Sequence, residues 1–210
     1  MEFPEIVLAS TSPRRRYLLE LAGLDFRVQE SAVAEAPGDE ESPHDFVRRA
    51  ARHKAQAVAA GCALGTWVLG ADTVVVVDEE VFGKPADRDD ARRMLRALSG
   101  RSHLVLTAVC LEQAGEATEA EILSQTEVAF RPLEDGIIEG YLDTGEPADK
   151  AGAYGIQGRG ALLVRSISGS YTNVVGLPLC ETVQMLEQAG VFRPFATARQ
   201  TVSEAEGGAR

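Results

Sequence analysis

The hydrophobic pattern of this chain alternates between short aliphatic runs and longer amphipathic segments. The aliphatic runs predict buried strands at 5–9, 67–77, 81–82, 103–112, 121–130 and 161–167. In most segments between them, apolar residues recur every three or four positions, as on one face of a helix. That period predicts helices at 13–22, 43–60, 88–99, 134–143 and 179–188, with a polar turn at 169–173. Because helices and strands interleave, the pattern indicates an α/β fold with a long hairpin in its middle.

The first helix follows the first strand closely and begins with clustered cations. Ser12 is a good N-cap, and Arg14 is expected on the inward face with Leu18 and Leu21. Free N–H groups and the helix dipole favour an anion at such a helix start. The hydroxyl of Ser10 and the guanidinium groups add further donors. The alternative is a capped amphipathic helix with a solvated basic end.

Lys54 lies on the inward face of the second predicted helix. Its neighbours there are small or aliphatic, namely Val47, Ala50, Ala51 and Val58. The ammonium group either reaches out to water along its own alkyl stem or meets a buried anion. From this helix alone, reaching out to water is the expected outcome.

Asp72 interrupts the most strand-like run of the chain. In a regular strand its carboxylate would share a face with Val68 and Val74, where burying a lone charge is costly. Gly70 predicts a bulge that turns the carboxylate into a cleft, and an edge position facing water is the alternative. Thr73 would point to the opposite face, so that only a local kink brings both side chains into one pocket.

Two glycine-containing segments are further candidates for ligand contact. Gly83-Lys84-Pro85 ends a short strand with a cation in a constrained turn. The stretch 145–160 combines glycines with Asp149, Lys150 and the amide of Gln157, and it shows no regular period. Glycine lets a ligand approach the backbone closely, although an ordinary surface loop has the same composition.

Composition narrows the classes of function. A net charge of −11 argues against a general nucleic-acid surface, so cations that bind an anion must be concentrated in one place. The three cysteines are far apart, which favours a reducing compartment over disulfides or a zinc site. No apolar run is long enough for a membrane span, and the acidic amino terminus does not suit a signal peptide. These features predict a cytoplasmic protein without nucleic-acid or membrane partners.

Several common active-site motifs are absent. The sequence contains no GxxxxGK[ST], GxGxxG, HExxH or GxSxG motif. His44, His53 and His103 show no metal-ligand spacing, and each is expected at the surface or in loose packing. A serine triad and a zinc hydrolase are therefore not expected.

A series of polar motifs follows in one order along the chain. They are Ser10-x-Ser12-Pro13-Arg14-Arg15, Gly70-Ala71-Asp72-Thr73-Val74-Val75, Gly83-Lys84-Pro85, Leu98-Ser99-Gly100-Arg101, the stretch 145–158, Gly169-Ser170-Tyr171 and Val175-Gly176-Leu177-Pro178. In this order they resemble the Maf family of nucleoside triphosphate pyrophosphatases, over roughly residues 5–190. The form of residues 149–158 resembles the branch that acts on dTTP and UTP.

The resemblance implies a fold and an activity. The fold is two-lobed α/β, with a long mixed β-sheet flanked by helices, related to the inosine-triphosphate pyrophosphatase type. The activity is hydrolysis of dTTP and UTP, and of modified pyrimidine nucleotides, to the monophosphate and pyrophosphate with Mg²⁺ or Mn²⁺. A homodimer is also implied. The alternative is a nucleotide-binding regulator of cell division and septum formation without significant turnover.

The resemblance also assigns roles to residues. Asp72 matches the proton acceptor and, with Glu35, a metal ligand, although Val33-Ala34-Glu35 lacks the Asp usual in this stretch. The specificity positions correspond to Arg14, Thr73 and Gln157. Other polar positions of the pocket correspond to Ser10, Arg15, Lys54, Lys84 and Lys150. One domain is predicted at 1–195, followed by a small polar tail at 196–210 that we expect to be disordered.

Overall fold

The computed structural model describes residues 4–33, 36–116 and 119–195. Its strands are β1 (Ile6–Leu8), β2 (Arg27–Val28), β3 (Trp67–Val77), β4 (Glu80–Phe82), β5 (Ser102–Gln113), β6 (Glu119–Phe130) and β7 (Val164–Ser168). Its helices are α1 (Pro13–Leu21), α2 (Pro43–Ala59), α3 (Arg88–Leu98), α4 (Asp135–Leu142), α5 (Tyr171–Val175) and α6 (Leu179–Gln188). The predicted α/β class is confirmed. The predicted tail at 196–210 lies outside the described residues.

The strands form one mixed sheet in the order β2-β1-β3-β5-β6-β7, with β4 added to β3. Strand β1 runs parallel to both β2 and β3, whereas β3, β5, β6 and β7 pair antiparallel. The two longest antiparallel partners, β5 and β6, form the predicted central hairpin. The long mixed sheet flanked by helices is thus confirmed.

One edge of β3 is covered at its two ends only. Strand β1 pairs with residues 67–69 of β3, and β4 pairs with residues 75–77. On the opposite edge, β5 pairs with residues 67–76 without interruption. In the described chain no strand covers residues 70–74 on the first edge, so the sheet has a gap that opens to both of its faces.

Gly70 does not form the predicted bulge. The register between β3 and β5 has no shift at this position, so neither a bulge nor a kink turns Asp72 aside. A Cβ atom on Gly70 would lie 2.4 Å from the carbonyl oxygen of Ala51 and 2.7 Å from the amide nitrogen of Ala55. Glycine is required here because helix α2 packs directly against the strand.

Apolar side chains cover both faces of the sheet. Helix α2 buries its predicted stripe against one face, while α1, α3, α4 and α6 pack against the other. The apolar residues of α3 that recur at the spacing of one helix face, namely Ala91, Met94, Leu95 and Leu98, are all buried. Among the described residues, none of the helices has the length and apolar character needed to cross a membrane.

Three expectations about local structure were wrong. Leu21 is 63% exposed, because the short helix α1 buries only Leu18 and Leu19. Part of the expected polar turn at 169–173 is helix α5, whose first turn is capped by the hydroxyl of Ser170. The strand expected at 161–167 begins only at Val164, because a 3₁₀ turn precedes it.

His103 is also not at the surface. It is 3% exposed and packs edge-on against the rings of Phe130 and Tyr154. Its Nε2 atom lies 2.8 Å from the hydroxyl of Tyr154. Burial lowers the pKa of His103 to about 4, so the ring is neutral at physiological pH.

Candidate active site

A cavity of about 1040 Å³ lies at the gap in the edge of β3. Nine predicted site residues line it, although they are spread over some 150 positions of the chain. They are Ser10, Arg14, Arg15, Lys54, Asp72, Thr73, Lys84, Lys150 and Gln157. Glu35, the other predicted metal ligand, lies outside the described residues. The structure therefore brings together every predicted site residue that it describes.

Arg15 connects three segments at the floor of the cavity. Its Nε donates to the carbonyl oxygen of Gly176 at 2.8 Å, and its two terminal nitrogens donate to Ser10 Oγ at 3.2 Å and Thr73 Oγ1 at 3.0 Å. Burial lowers the pKa of Arg15, although nearby Asp72 opposes this effect. None of these partners is anionic, so the positive charge remains available to an anionic ligand.

Lys54 and Asp72 form an ion pair between α2 and β3. The two side chains are only 19% and 16% exposed. The expectation that Lys54 reaches out to water was wrong, because the carboxylate on the facing strand offers its ammonium group a closer partner. Each charge offsets the cost of burying the other.

Asp72 and Thr73 point to opposite faces of the sheet and still line the same cavity. Asp72 faces α2, whereas Thr73 bonds Arg15 on the other face and lies 2.9 Å from the hydroxyl of Thr107. No kink is needed, because the cavity extends through the gap in the sheet.

The stretch 145–160, here called the central loop, forms one wall of the cavity. Asp149 lies 3.2 Å from Arg14 Nη1 and 2.6 Å from Lys150 Nζ, which links the loop to α1. Burial alone would raise the pKa of Asp149, but its bonds to these two cations hold the pKa below its ordinary value. Lys84 and Gln157 are exposed, and neither has a hydrogen bond to another described residue.

Sequence reasoning missed two carboxylates of the cavity wall, Glu30 and Glu146. Glu30 belongs to an acidic segment that was expected to be solvated, so nothing distinguished it from its neighbours. Glu146 stood inside the glycine-rich stretch, but its partners come from the far end of that stretch. Its Oε2 accepts from the Arg159 amide at 2.8 Å, and its Oε1 accepts from Tyr141 and Gly160.

The charges of the cavity wall suit a polyanion together with a divalent cation. Five cationic and four carboxylate side chains line the cavity. Among the described residues, no three His, Cys, Asp or Glu side chains lie close enough to hold a metal by themselves. Mg²⁺ is commonly held by one or two carboxylates together with substrate phosphates, so a divalent cation here would need the substrate phosphates in addition to the cavity carboxylates.

Comparison with solved structures finds distant likenesses. A HAM1 protein from Coxiella burnetii is 17% identical, with a TM-score of 0.49 over 88% of this chain and 99% of that chain. At that level the likeness carries no argument about function.

Comparison with curated sequences finds much closer relatives, each named a dTTP/UTP pyrophosphatase. The protein of Anaeromyxobacter dehalogenans is 52% identical over 91% of this chain and 97% of its own length. The protein of Symbiobacterium thermophilum is 54% identical over 89% of this chain and 94% of its own length. The protein of Geobacter sulfurreducens is 52% identical over 91% of this chain and 100% of its own length. A family model described as Maf-like protein also matches residues 5–189, and the chain therefore belongs to the Maf family.

Proposed function

We propose that this chain is a nucleoside triphosphate pyrophosphatase that hydrolyses dTTP and UTP to the monophosphate and pyrophosphate. Three relatives that bear this name are 52–54% identical to it over nearly their whole length. The observation that carries the proposal is the meeting of the Asp72 carboxylate with five cations in one cavity. A protein that only binds a triphosphate gains nothing from a carboxylate beside the phosphates unless that carboxylate holds a metal.

The cations are arranged to hold a triphosphate. A triphosphate carries about four negative charges, which a chain of net charge −11 can bind only with clustered Arg and Lys. Arg15 is fixed by neutral partners, and Lys84 has no partner among the described residues. Arg14 and Lys150 share Asp149, whose place a phosphate can take.

Asp72 is the proposed proton acceptor. Its carboxylate orients a water molecule toward the anhydride between the α- and β-phosphates and takes a proton from that water during attack. The new P–O bond forms as the bond to the bridging oxygen breaks, and pyrophosphate leaves. Lys54, bonded to Asp72, fixes the carboxylate in place. Mg²⁺ or Mn²⁺ held by Asp72, with Glu35 as the second ligand that the family resemblance implies, would neutralise charge on the phosphates.

Gln157 and Thr73 are the proposed base-reading residues, with Arg14 as the third specificity position. Uracil and thymine present an N3–H donor next to the O4 acceptor, and the Gln amide offers a matching acceptor and donor. Cytosine reverses this pattern, so the same amide would have to flip. Thr73 already accepts a hydrogen bond from Arg15, so its proposed role in substrate selection includes holding the Arg15 guanidinium in place.

The test is pyrophosphate release from UTP, dTTP, modified pyrimidine triphosphates, CTP and GTP, with Mg²⁺ or Mn²⁺. We expect UTP and dTTP to have the highest kcat/KM, and Gln157→Ala to reduce their advantage over CTP. Highest activity on GTP, or an unchanged UTP-to-CTP ratio in Gln157→Ala, would contradict the assignment of the base pocket. A cytoplasmic location and a homodimer belong to the same proposal, and the widely spaced free cysteines support a reducing compartment.

A further inference from the structure

We infer that Glu146 is a positioning residue that holds Gln157 in its base-reading place by fixing both ends of the loop tip. The loop tip is defined here as residues 155–160, the last part of the central loop. The inference rests on the proposed function, because it assigns Gln157 a part in base selection.

Glu146 and Tyr141 hold the two ends of the loop tip through one carboxylate–phenol pair. The Tyr141 hydroxyl donates to Glu146 Oε1 at 2.8 Å and accepts from the Gly155 amide at 3.1 Å. At the other end, the Arg159 and Gly160 amides donate to the two carboxylate oxygens of Glu146 at 2.8 and 3.1 Å. Gln157 lies between these two attachments.

The glycines of the loop tip make room for this pair. A Cβ atom on Gly158 would lie 2.4 Å from Glu146 Oε2. One on Gly160 would lie 2.6 Å from the Tyr141 hydroxyl and 2.6 Å from the carbonyl oxygen of Gly155. Larger side chains at either position would push the tip off the carboxylate, so the backbone of the tip is shaped around Glu146.

The interaction requires an ionised carboxylate. Burial alone would raise the pKa of Glu146, but the bonds from Gly160, Arg159 and Tyr141 outweigh that effect and keep the pKa below its ordinary value. Lys150 Nζ donates to the main-chain oxygen of Glu146 at 2.9 Å and not to the carboxylate. In Glu146→Gln, the side-chain NH₂ group would replace one carboxylate oxygen and face one of the three donors. At least one of the three hydrogen bonds to residue 146 would therefore be lost.

Gln157 has no comparable support of its own. Its side chain is exposed and has no hydrogen bond to a described residue. Within the tip, the Gly158 amide donates to the Gly155 carbonyl oxygen at 3.3 Å, a weak turn contact. The position of the Gln157 side-chain amide therefore depends on the backbone of the tip, which is held by the attachments at Gly155 and at residues 159–160 and by Ile156, whose side chain packs against the core.

The test is a double-mutant cycle between Glu146→Gln and Gln157→Ala, with kcat/KM measured for UTP and CTP. We expect Glu146→Gln to lower the UTP-to-CTP ratio about tenfold, mainly through the KM for UTP. In the Gln157→Ala background the same change should lower the ratio little further, because the two residues act as one unit. The control is Glu139→Gln, which removes a carboxylate of α4 that bonds Arg88 and Arg92 away from the cavity.

Hydrogen exchange provides a readout that does not depend on activity. We expect faster exchange of the amides at 155–160 in Glu146→Gln and unchanged exchange there in Glu139→Gln. Unchanged exchange in Glu146→Gln, or effects on the ratio that simply add in the double variant, would overturn the inference. Wild-type enzyme that does not prefer UTP to CTP would instead overturn the proposed function, and the faster exchange would then show only that Glu146 holds the loop.

Discussion

Lys54 on α2 and Asp72 on β3 form an ion pair at the gap in the sheet. Lys54 is the charged residue on an otherwise apolar face of α2, and Asp72 is its partner on the facing strand. The pair also holds the carboxylate at the cavity wall, where water and substrate can reach it. Replacement of either partner leaves the other charge uncompensated in a mostly buried place, so the two residues must be analysed together.

Asp72→Asn keeps the shape of the side chain and removes its charge. We expect kcat to fall by about 10²-fold or more, because the amide cannot accept a proton from water. Nucleotide binding should persist, because the cations remain. Single-turnover pyrophosphate release and calorimetric titration separate the two effects. Asp143→Asn, which changes an exposed carboxylate of the α4 surface, is the control. Near-normal turnover in a folded Asp72→Asn protein would exclude the assigned role.

Lys84→Ala tests phosphate binding without disturbing the fold. Lys84 is exposed and bonds no other described residue, so its removal should raise the KM for UTP while leaving thermal stability unchanged. Arg165→Ala removes an equal charge from an exposed position on β7, and we expect it to leave KM unchanged. Equal KM values for the two variants would show that Lys84 does not contact the phosphates.

Gly70→Ala tests the close packing of α2 on β3. A methyl group there meets backbone atoms that cannot move aside, so we expect a loss of about 1–3 kcal/mol in the free energy of unfolding. Gly136→Ala is the matched control, because Gly136 lies in α4 with open space around it and alanine favours a helix. Urea unfolding of both variants provides the comparison, and a Gly70→Ala protein as stable as wild type would contradict this packing.

His103 should make stability depend on pH. In the unfolded chain it takes up a proton near pH 6.5, whereas in the folded protein the pKa is lowered to about 4 by burial. Between these values the unfolded state binds more protons, so stability falls as the pH drops from 6.5 toward 4. The full loss corresponds to about 3 kcal/mol.

The measurement is urea unfolding at several pH values between 7.5 and 4.5, for wild type and for His103→Gln. In His103→Gln, most of the fall in the free energy of unfolding between pH 6.5 and pH 5 should be absent, because glutamine does not titrate. A decline of the same size in both proteins would assign the pH dependence to other groups.

The sequence alone determined the order of the elements, except for β2 and α5, which it did not predict, and much of their detail. The predicted N-cap at Ser12 depends on a hydrogen bond between residues three apart, and the structure shows that cap and equivalent ones at Ser42 and Asp87, where the second and third predicted helices begin. The inward stripes of α2 and α3 depend on the period of the helix, which is also local. Eight of the nine predicted site residues at the cavity lie in the motifs that carry the family resemblance, each motif being one short segment, whereas Lys54 lies outside them and Glu30 and Glu146 were missed.

Only the tertiary structure decided how those segments meet. Lys54 could not be assigned a partner, because Asp72 lies 18 positions away on another element. Gly70 was wrongly predicted to form a bulge. Glycine is required there because α2 packs directly on the strand, and the sequence around Gly70 does not show that contact. Asp72 and Thr73 share a cavity because β1 and β4 cover β3 only at its ends, and such a gap depends on strand pairing. Contacts between distant segments are set by packing of the whole sheet and its helices, which no local pattern of residues records.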